Sequence, residues 1–333
     1  MRGQPPHSGL FVLFFLLSAP ALSNAKAVEW TFTADGSSHQ LLELSIGTPP
    51  QPLTVRLADF GECENLQVSG DVFSTGSSTT FVQTGVYEQG DQRAGVLGQD
   101  DAEVGDDGVA FRTKPFILFD AGVWIDETDG RISWNRLDNA SASFIQTVVK
   151  ELDEQIVVFS FDQVTHSIDV FGSGVITLGA RPTDRCAQEW KYVPESPFIQ
   201  PYDQWSTAVT EASFGAYTFD SPGYAHFSLF NTQTAVPQAI FDAFLTFLGA
   251  PDEFNVPCDA TGDFVLTLGD VEIRLTPDDY LDRTQEKSQD RCWVYMDYND
   301  EGNDFFLPAT IWNSHCLLLD YANLRLGFAD RVH

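Results

Sequence analysis

The sequence predicts an all-β fold of mainly antiparallel strands, and residues 41–68 carry the first evidence. Apolar residues take every second position over 42–46, which is the period of a strand with one buried face. Residues 47–50 read Gly-Thr-Pro-Pro, a turn sequence, because glycine accepts a positive φ and the prolines exclude a helix. A second alternating strand follows over 53–57, so we expect two strands joined by a tight turn.

Two later segments show different hydrophobic patterns, one typical of a strand and one typical of a helix. Residues 156–161 form a short apolar run of strand length. Over residues 143–152, Phe144, Val148 and Leu152 recur at four-residue spacing, which is typical of one buried face of a helix. We therefore expect an occasional helix among the strands.

Length and composition bound the class of protein. The chain has 333 residues, enough for two domains, and 43% of them are hydrophobic, enough for a packed core. The formal net charge of −30 disfavours nucleic acid as a partner, because phosphates attract cations, and it disfavours anionic membrane surfaces. The charge suits a protein that works in acid, although solubility alone explains it equally well.

The N-terminus is expected to be a secretory signal over residues 1–25. Arg2 and His7 precede an apolar run at 10–17, and small residues suited to cleavage follow. No run reaches the ~20 apolar residues of a membrane-spanning helix, so we expect a secreted or lumenal protein. Five cysteines agree with an oxidising compartment, and Asn139 begins the one N-glycosylation sequon.

Several motifs, taken in chain order, resemble the pepsin-like aspartic protease family (peptidase A1). They are Ile-Gly-Thr-Pro-Pro-Gln at 46–51, a Gly-Val-Ile-Thr-Leu-Gly strand at 174–179, a hairpin ending in Pro-x-x-Tyr at 264–280 and a closing Leu-Gly-Phe-Ala motif within 319–329. The resemblance implies a bilobal fold, in which two related β lobes flank a central cleft. It places the N-terminal lobe at 26–182 and the C-terminal lobe at 183–333.

The catalytic triplets of that family are both altered in this sequence. Each lobe of a pepsin-like protease supplies one Asp-Thr/Ser-Gly triplet, and the two Asp side chains share a proton. The best match in the first half is Asp-Phe-Gly at 59–61, which requires two extra residues before Val68; without them the Asp position falls on Ala58. The second triplet falls on Ser-Leu-Phe at 228–230.

The resemblance therefore implies a family member that has lost its chemistry. At most one catalytic carboxylate survives, namely Asp59. Ser228 stands at the second Asp position, and a serine cannot act as a carboxylate. We predict a secreted, non-catalytic homologue that keeps a cleft for a peptide or protein ligand. Two alternatives stay open: an active aspartic endopeptidase with a rearranged pair of carboxylates, and a structural or inhibitor-like secreted module.

The resemblance also assigns side chains to the cleft. Tyr87 corresponds to the tyrosine of the flap hairpin that closes over bound peptide. Gln67 replaces the tryptophan that normally hydrogen-bonds to this tyrosine. Phe60 and Phe230 are expected in the cleft, and a cleft floor filled by both rings would favour the structural or inhibitor-like alternative.

The cysteines complete the resemblance. It pairs Cys258 with Cys292, and it pairs Cys186 with Cys316 as in nematode-like members; Cys63 is left over. The six histidines show no metal-ligand spacing, so we expect no metal and no cofactor. A monomer is expected.

Overall fold

The structure is a computed structural model. It describes residues 27–34, 40–58, 65–89, 93–121, 128–137, 139–162, 172–196, 205–219, 223–229, 234–250, 255–282, 290–299 and 302–332. The signal predicted at 1–25 lies outside the described residues, as do Asp59, Phe60, Cys63 and Phe230.

Strands dominate the described part of the first half of the chain. They are β1 (Val28–Ala34), β2 (Gln40–Ile46), β3 (Gln51–Leu57), β4 (Gln67–Ser69), β5 (Val82–Gln89), β6 (Arg93–Val104), β7 (Val109–Phe119), β8 (Gly130–Ile132), β9 (Ile156–Phe161) and β10 (Gly174–Leu178). Helix α1 (Phe144–Val149) lies between β8 and β9, and 3₁₀ turns occur at Thr75–Ser77 and Ala140–Ala142.

The second half repeats this dominance of strands among its described residues. They are β11 (Lys191–Pro194), β12 (Ser206–Val209), β13 (Glu211–Phe214), β14 (Tyr217–Phe219), β15 (Gly223–Phe227), β16 (Thr234–Pro237), β17 (Asn255–Pro257), β18 (Phe264–Leu268), β19 (Val271–Leu275), β20 (Leu281–Asp282), β21 (Arg291–Val294), β22 (Met296–Asn299), β23 (Phe305–Leu307), β24 (His315–Asp320) and β25 (Arg325–Asp330). The helical segments are α2 (Gln238–Phe247), α3 (Pro277–Tyr280) and a 3₁₀ turn at Ala309–Asn313.

The hairpin expected at the start of the chain is present as β2 and β3. The two strands pair antiparallel with Leu44 opposite Leu53, and the turn between them contains Gly47 at φ 96°. Strand β9 spans the predicted residues 156–161. The predicted helix is shorter than expected: Ser143 caps its N-terminus by accepting a hydrogen bond from the N–H of Gln146, and it ends at Val149.

The largest sheet joins the two halves of the chain. It has 13 strands in the order β11-β25-β24-β9-β10-β1-β2-β3-β8-β4-β7-β6-β5. Its first six strands combine β1, β9 and β10 from the first half with β11, β24 and β25 from the second. The fold is all-β and bilobal, as the sequence predicted, and the exact lobe boundary at residue 182 stays a prediction.

Two hydrogen bonds to one backbone carbonyl also connect the two halves of the chain. The carbonyl oxygen of Trp134 accepts a hydrogen bond from the Trp205 indole N–H at 2.9 Å and a second from the Tyr321 hydroxyl. Trp205 and Tyr321 also pack edge to face, with ring centroids 5.0 Å apart. All three side chains are buried, and burial moves the pKa of Tyr321 far upward, so its hydroxyl stays a donor.

Two disulfides, Cys186–Cys316 and Cys258–Cys292, are formed in the pairing that the resemblance implied. In the described part of the chain, no helix has the length and apolar character needed to cross a membrane.

Candidate functional site

The strand end that leads to Asp59 belongs to a four-strand unit of the first half. Strand β3 lies parallel to β8, β8 lies antiparallel to β4, and β4 lies parallel to β7. Leu57 is paired with Ile132, and the N–H of the next residue, Ala58, donates to the Ile132 carbonyl at 3.0 Å. The backbone of Ala58 is therefore fixed by β8, and its side chain is fully buried.

The second half builds the same unit from β15, β23, β16 and β22. Strand β15 lies parallel to β23, β23 lies antiparallel to β16, and β16 lies parallel to β22. Phe227 is paired with Leu307, and the N–H of Ser228 donates to the Leu307 carbonyl at 3.2 Å. The four strands also follow one another along the chain in the same order as in the first unit.

Because the strands pair in the same way in both units, each residue of one unit has an equivalent in the other. These pairings make Leu57 the equivalent of Phe227 and Ala58 the equivalent of Ser228. A second hydrogen bond repeats as well: the N–H of Thr54 donates to the Asp129 carboxylate at 2.8 Å, and the N–H of Tyr224 donates to the Asp304 carboxylate at 3.0 Å. The register thus makes Ala58, and not the next residue Asp59, the equivalent of Ser228 in the first unit.

Each unit has a face directed away from the hydrophobic core, which we call the cleft face. Side chains alternate along a strand, so Arg56 shares this face with Ala58 in the first unit, and His226 shares it with Ser228 in the second. Pairing extends the face to Arg131 and Gln67 in the first unit. It extends the face to Phe306, Ala235 and Asp297 in the second.

The cleft face of the first unit continues into the hairpin of β5 and β6. Tyr87 lies opposite Gly95, and Gly95 lies opposite Phe119, so the Tyr87 ring packs edge-on against the Phe119 ring at 5.7 Å. Gly95 is needed here because a Cβ at this position would come within 2.3 Å of the Leu118 carbonyl oxygen. Gln67 is buried, and its Oε1 has no hydrogen-bond partner.

The cleft face of the second unit is more open and carries different chemistry. The imidazole of His226 stacks on the Phe306 ring at 5.0 Å, and its Nε2 lies 3.4 Å from a carboxylate oxygen of Asp304. Burial lowers the pKa of His226, and the nearby Asp304 carboxylate only partly opposes this effect. The carbonyl of Ser228 accepts the indole N–H of Trp312 at 2.8 Å, which holds the end of β15.

The lowered pKa of His226 predicts a pH-dependent contribution to stability. Unfolded, this imidazole binds a proton below about pH 6.5; folded, it resists protonation until lower pH, so acid favours the unfolded state through this group. We expect the free energy of unfolding to fall less between pH 7.5 and pH 5.5 in His226→Gln than in the wild type. Urea denaturation at the two pH values measures this, and equal losses in both proteins would contradict it.

Sequence reasoning missed the cleft-face residues near Ala58 and Ser228. Arg56 lies two residues before Ala58, and His226 lies two residues before Ser228, so the period of a strand could have identified both as residues of that face. Arg131 and Phe306 could not be found in this way, because only strand pairing brings them to the same face.

The remaining site predictions concern modification and metal. Asn139 is exposed at the start of the 3₁₀ turn, where its side-chain oxygen accepts a hydrogen bond from the N–H of Ser141. This position is accessible to a glycan, and its modification stays a prediction. Across the described ranges, no group of three or more His, Cys, Asp or Glu side chains is arranged to hold a metal ion.

Comparisons with known proteins agree with this architecture. Residues 41–331 match the family described as eukaryotic aspartyl protease. The chain is also 24% identical over 343 aligned positions to "Aspartic protease 1" of Caenorhabditis elegans, covering 87% of this chain and 81% of that protein. The chain therefore belongs to the eukaryotic aspartyl protease family, whose bilobal fold it has.

Proposed function

We propose that this protein is a secreted, non-catalytic homologue of the aspartic endopeptidases, and that its cleft binds a peptide or protein ligand. One observation carries the proposal. The matching strand registers make Ala58 and Ser228 equivalent residues at the ends of β3 and β15, and neither side chain is an acid. We take these two residues as the counterparts of the catalytic Asp residues of pepsin-like proteases.

The chemistry of the family explains why this loss matters. One Asp acts as a base on water, while the other, protonated, donates to the substrate carbonyl, and the two lie about 3 Å apart. Alanine can take neither role, and the serine hydroxyl does not ionise in the working range of a carboxylate. Removing one partner of an acid–base pair typically reduces the rate by about 10²–10⁴-fold.

The binding part of the proposal is supported by what the cleft faces keep. The flap hairpin of β5 and β6 still presents Tyr87 against Phe119. In the second unit, His226 and Phe306 keep an aromatic surface that is partly open to solvent. A pepsin-like fold that has lost its acids but kept these surfaces suits recognition of an extended chain better than turnover.

Secretion is supported by two independent features. The predicted signal at 1–25 directs the chain to an oxidising compartment. The two disulfides, Cys186–Cys316 and Cys258–Cys292, are typical of proteins that fold there.

A second candidate function is the structural or inhibitor-like module. It is favoured by the burial of three side chains of the cleft face in the first unit, namely Gln67, Arg131 and Ile117, which is paired with Gln67; each is at most 6% exposed. A groove that is closed over this half would leave only the second unit available to a ligand.

Peptide cleavage by the mature chain tests the loss of catalysis. We expect no turnover of unstructured protein substrates between pH 2 and pH 7, with an active pepsin-like protease as the positive control. Asp59→Ala is the matched variant, because Asp59 is the acid nearest to Ala58 in sequence. Cleavage that disappears in Asp59→Ala would establish the active alternative with a rearranged pair of carboxylates.

A further inference from the structure

We propose that Phe306, Ala235 and Asp297 form a subsite for a basic side chain of the bound peptide, arginine in particular. The subsite lies on the cleft face of the second unit. The inference rests on the proposed function, because it names the chemistry of the ligand that the same cleft would take.

Strand pairing brings the three residues into one row. Ala235 on β16 is paired with Phe306 on β23 on one side and with Asp297 on β22 on the other. Paired residues point to the same face of a sheet, and neighbouring strands are about 4.8 Å apart, so Phe306 and Asp297 stand about 10 Å apart across Ala235. The small side chain of Ala235 leaves a gap between an aromatic ring and a carboxylate.

The Phe306 ring has one side left to contact a ligand. His226, on the neighbouring strand β15, stacks on one side of the ring with an interplanar angle of 19°. The Phe306 side chain is nevertheless 38% exposed, an unusual position for a large apolar ring. The side away from His226 faces the gap over Ala235, where a planar cation can stack against it.

The charge of the site selects a cation. Asp297 is exposed at the far side of the gap, and Asp304 lies on the near side, where it receives the N–H of Tyr224 and faces His226. Both carboxylate oxygens of Asp304 thus face partners within the protein. Asp297 accepts the N–H of Tyr298 through Oδ1 alone and is more exposed, so we assign the ligand contact to Asp297. The formal net charge of −30 adds a long-range field that attracts basic peptides.

Arginine fits this gap better than lysine. Its guanidinium is planar, stacks on an aromatic ring and offers several N–H donors to a carboxylate at the same time. A guanidinium above Ala235 can contact the Phe306 ring with its flat side and direct N–H groups towards Asp297.

Binding of matched peptides tests the subsite. The probes are two fluorescent, N-acetylated and C-amidated alanine hexapeptides, one with a central arginine and one with citrulline, which keeps the shape but has no charge. Thermophoresis with the mature chain at 50 mM salt and pH 7 measures both affinities. We expect the arginine peptide to bind about five- to tenfold more tightly.

Two pairs of variants locate the effect. Asp297→Asn and Phe306→Leu are expected to remove most of the preference for arginine. Asp107→Asn is the control for charge, because Asp107 is an exposed turn residue of the first half, and Tyr217→Leu is the control for an exposed aromatic ring. Both controls should keep the preference.

The outcomes separate this inference from the proposed function. Equal affinities for the two peptides, or equal losses in Asp297→Asn and Asp107→Asn, would overturn the subsite while leaving the binding cleft in place. The subsite would also be overturned if neither peptide binds. Self-association of the chain that Phe306→Leu abolishes would assign this face to a second copy instead. Cleavage of the peptides would overturn the non-catalytic proposal, whereas the ratio of the two affinities would still support or overturn the subsite.

Discussion

Replacing Cys186 and Cys316 together by alanine is expected to lower the free energy of unfolding by about 5 kcal/mol. The two residues are separated by 130 positions, and a cross-link that closes a long loop removes much conformational freedom from the unfolded chain. The bond also joins β24, the third strand from one edge of the large sheet, to the segment that precedes β11. Urea denaturation of the oxidised wild type and the variant measures the difference.

The second disulfide provides the matched control. Cys258 and Cys292 are separated by 34 positions, so the same relation predicts a smaller loss of about 4 kcal/mol for the double alanine variant. Double variants are used because a single substitution would leave the other cysteine of the pair as an unpaired thiol. A larger loss for the 34-residue separation would show that native packing at the bonds, and not loop length, sets their contributions.

Phe214→Ala is expected to cost about 3–5 kcal/mol, the usual range for removing a fully buried aromatic ring. Phe214 is 1% exposed and forms the centre of an aromatic cluster in the second half. Its ring lies 5.4–6.1 Å from five others, namely Tyr217, Phe219, Phe244, Phe247 and Phe264. Alanine would leave a cavity that these rings cannot all move to fill, because β14, β18 and α2 hold them.

Tyr217→Ala is the control for this prediction. Tyr217 belongs to the same cluster but is 48% exposed, so its removal creates no closed cavity and should cost about 1 kcal/mol or less. Thermal and urea denaturation of both variants gives the comparison. Similar losses in the two variants would show that the cluster is held by ring stacking more than by the filling of space.

The fold was predictable from the sequence because its markers are local. The alternation over 42–46, the Gly-Thr-Pro-Pro turn and the apolar run at 156–161 each specify their own element, and the structure contains all three. The helix at 143–152 was predicted too long. The four-residue spacing of apolar side chains continues to Leu152, but the α-helical hydrogen bonds end with the N–H of Lys150, and the next two N–H groups bond to the third residue before them.

The candidate site was only partly predictable because it depends on pairing between distant segments. A local motif favours Asp59, whose neighbours read Asp-Phe-Gly, whereas the register with β8 singles out Ala58. Ser228 was assigned from the sequence by its distance from Pro237, and its role as the counterpart of a catalytic Asp stays a prediction. The contacts of Phe306 with His226 and Ala235 join strands that lie some 70–80 residues apart along the chain, and no spacing rule gives them.

The six strands shared by the two halves also set an order of assembly during synthesis. Strand β9 is paired on one side with β10, the next strand along the chain. On the other side it is paired with β24, whose residues 315–320 are synthesised about 150 residues later. Until then, the side of β9 that will contact β24 has no native partner in the nascent chain. An apolar edge strand of this kind is prone to pair with other chains. We therefore expect the first half to expose an edge prone to association until the last strands of its own chain are made.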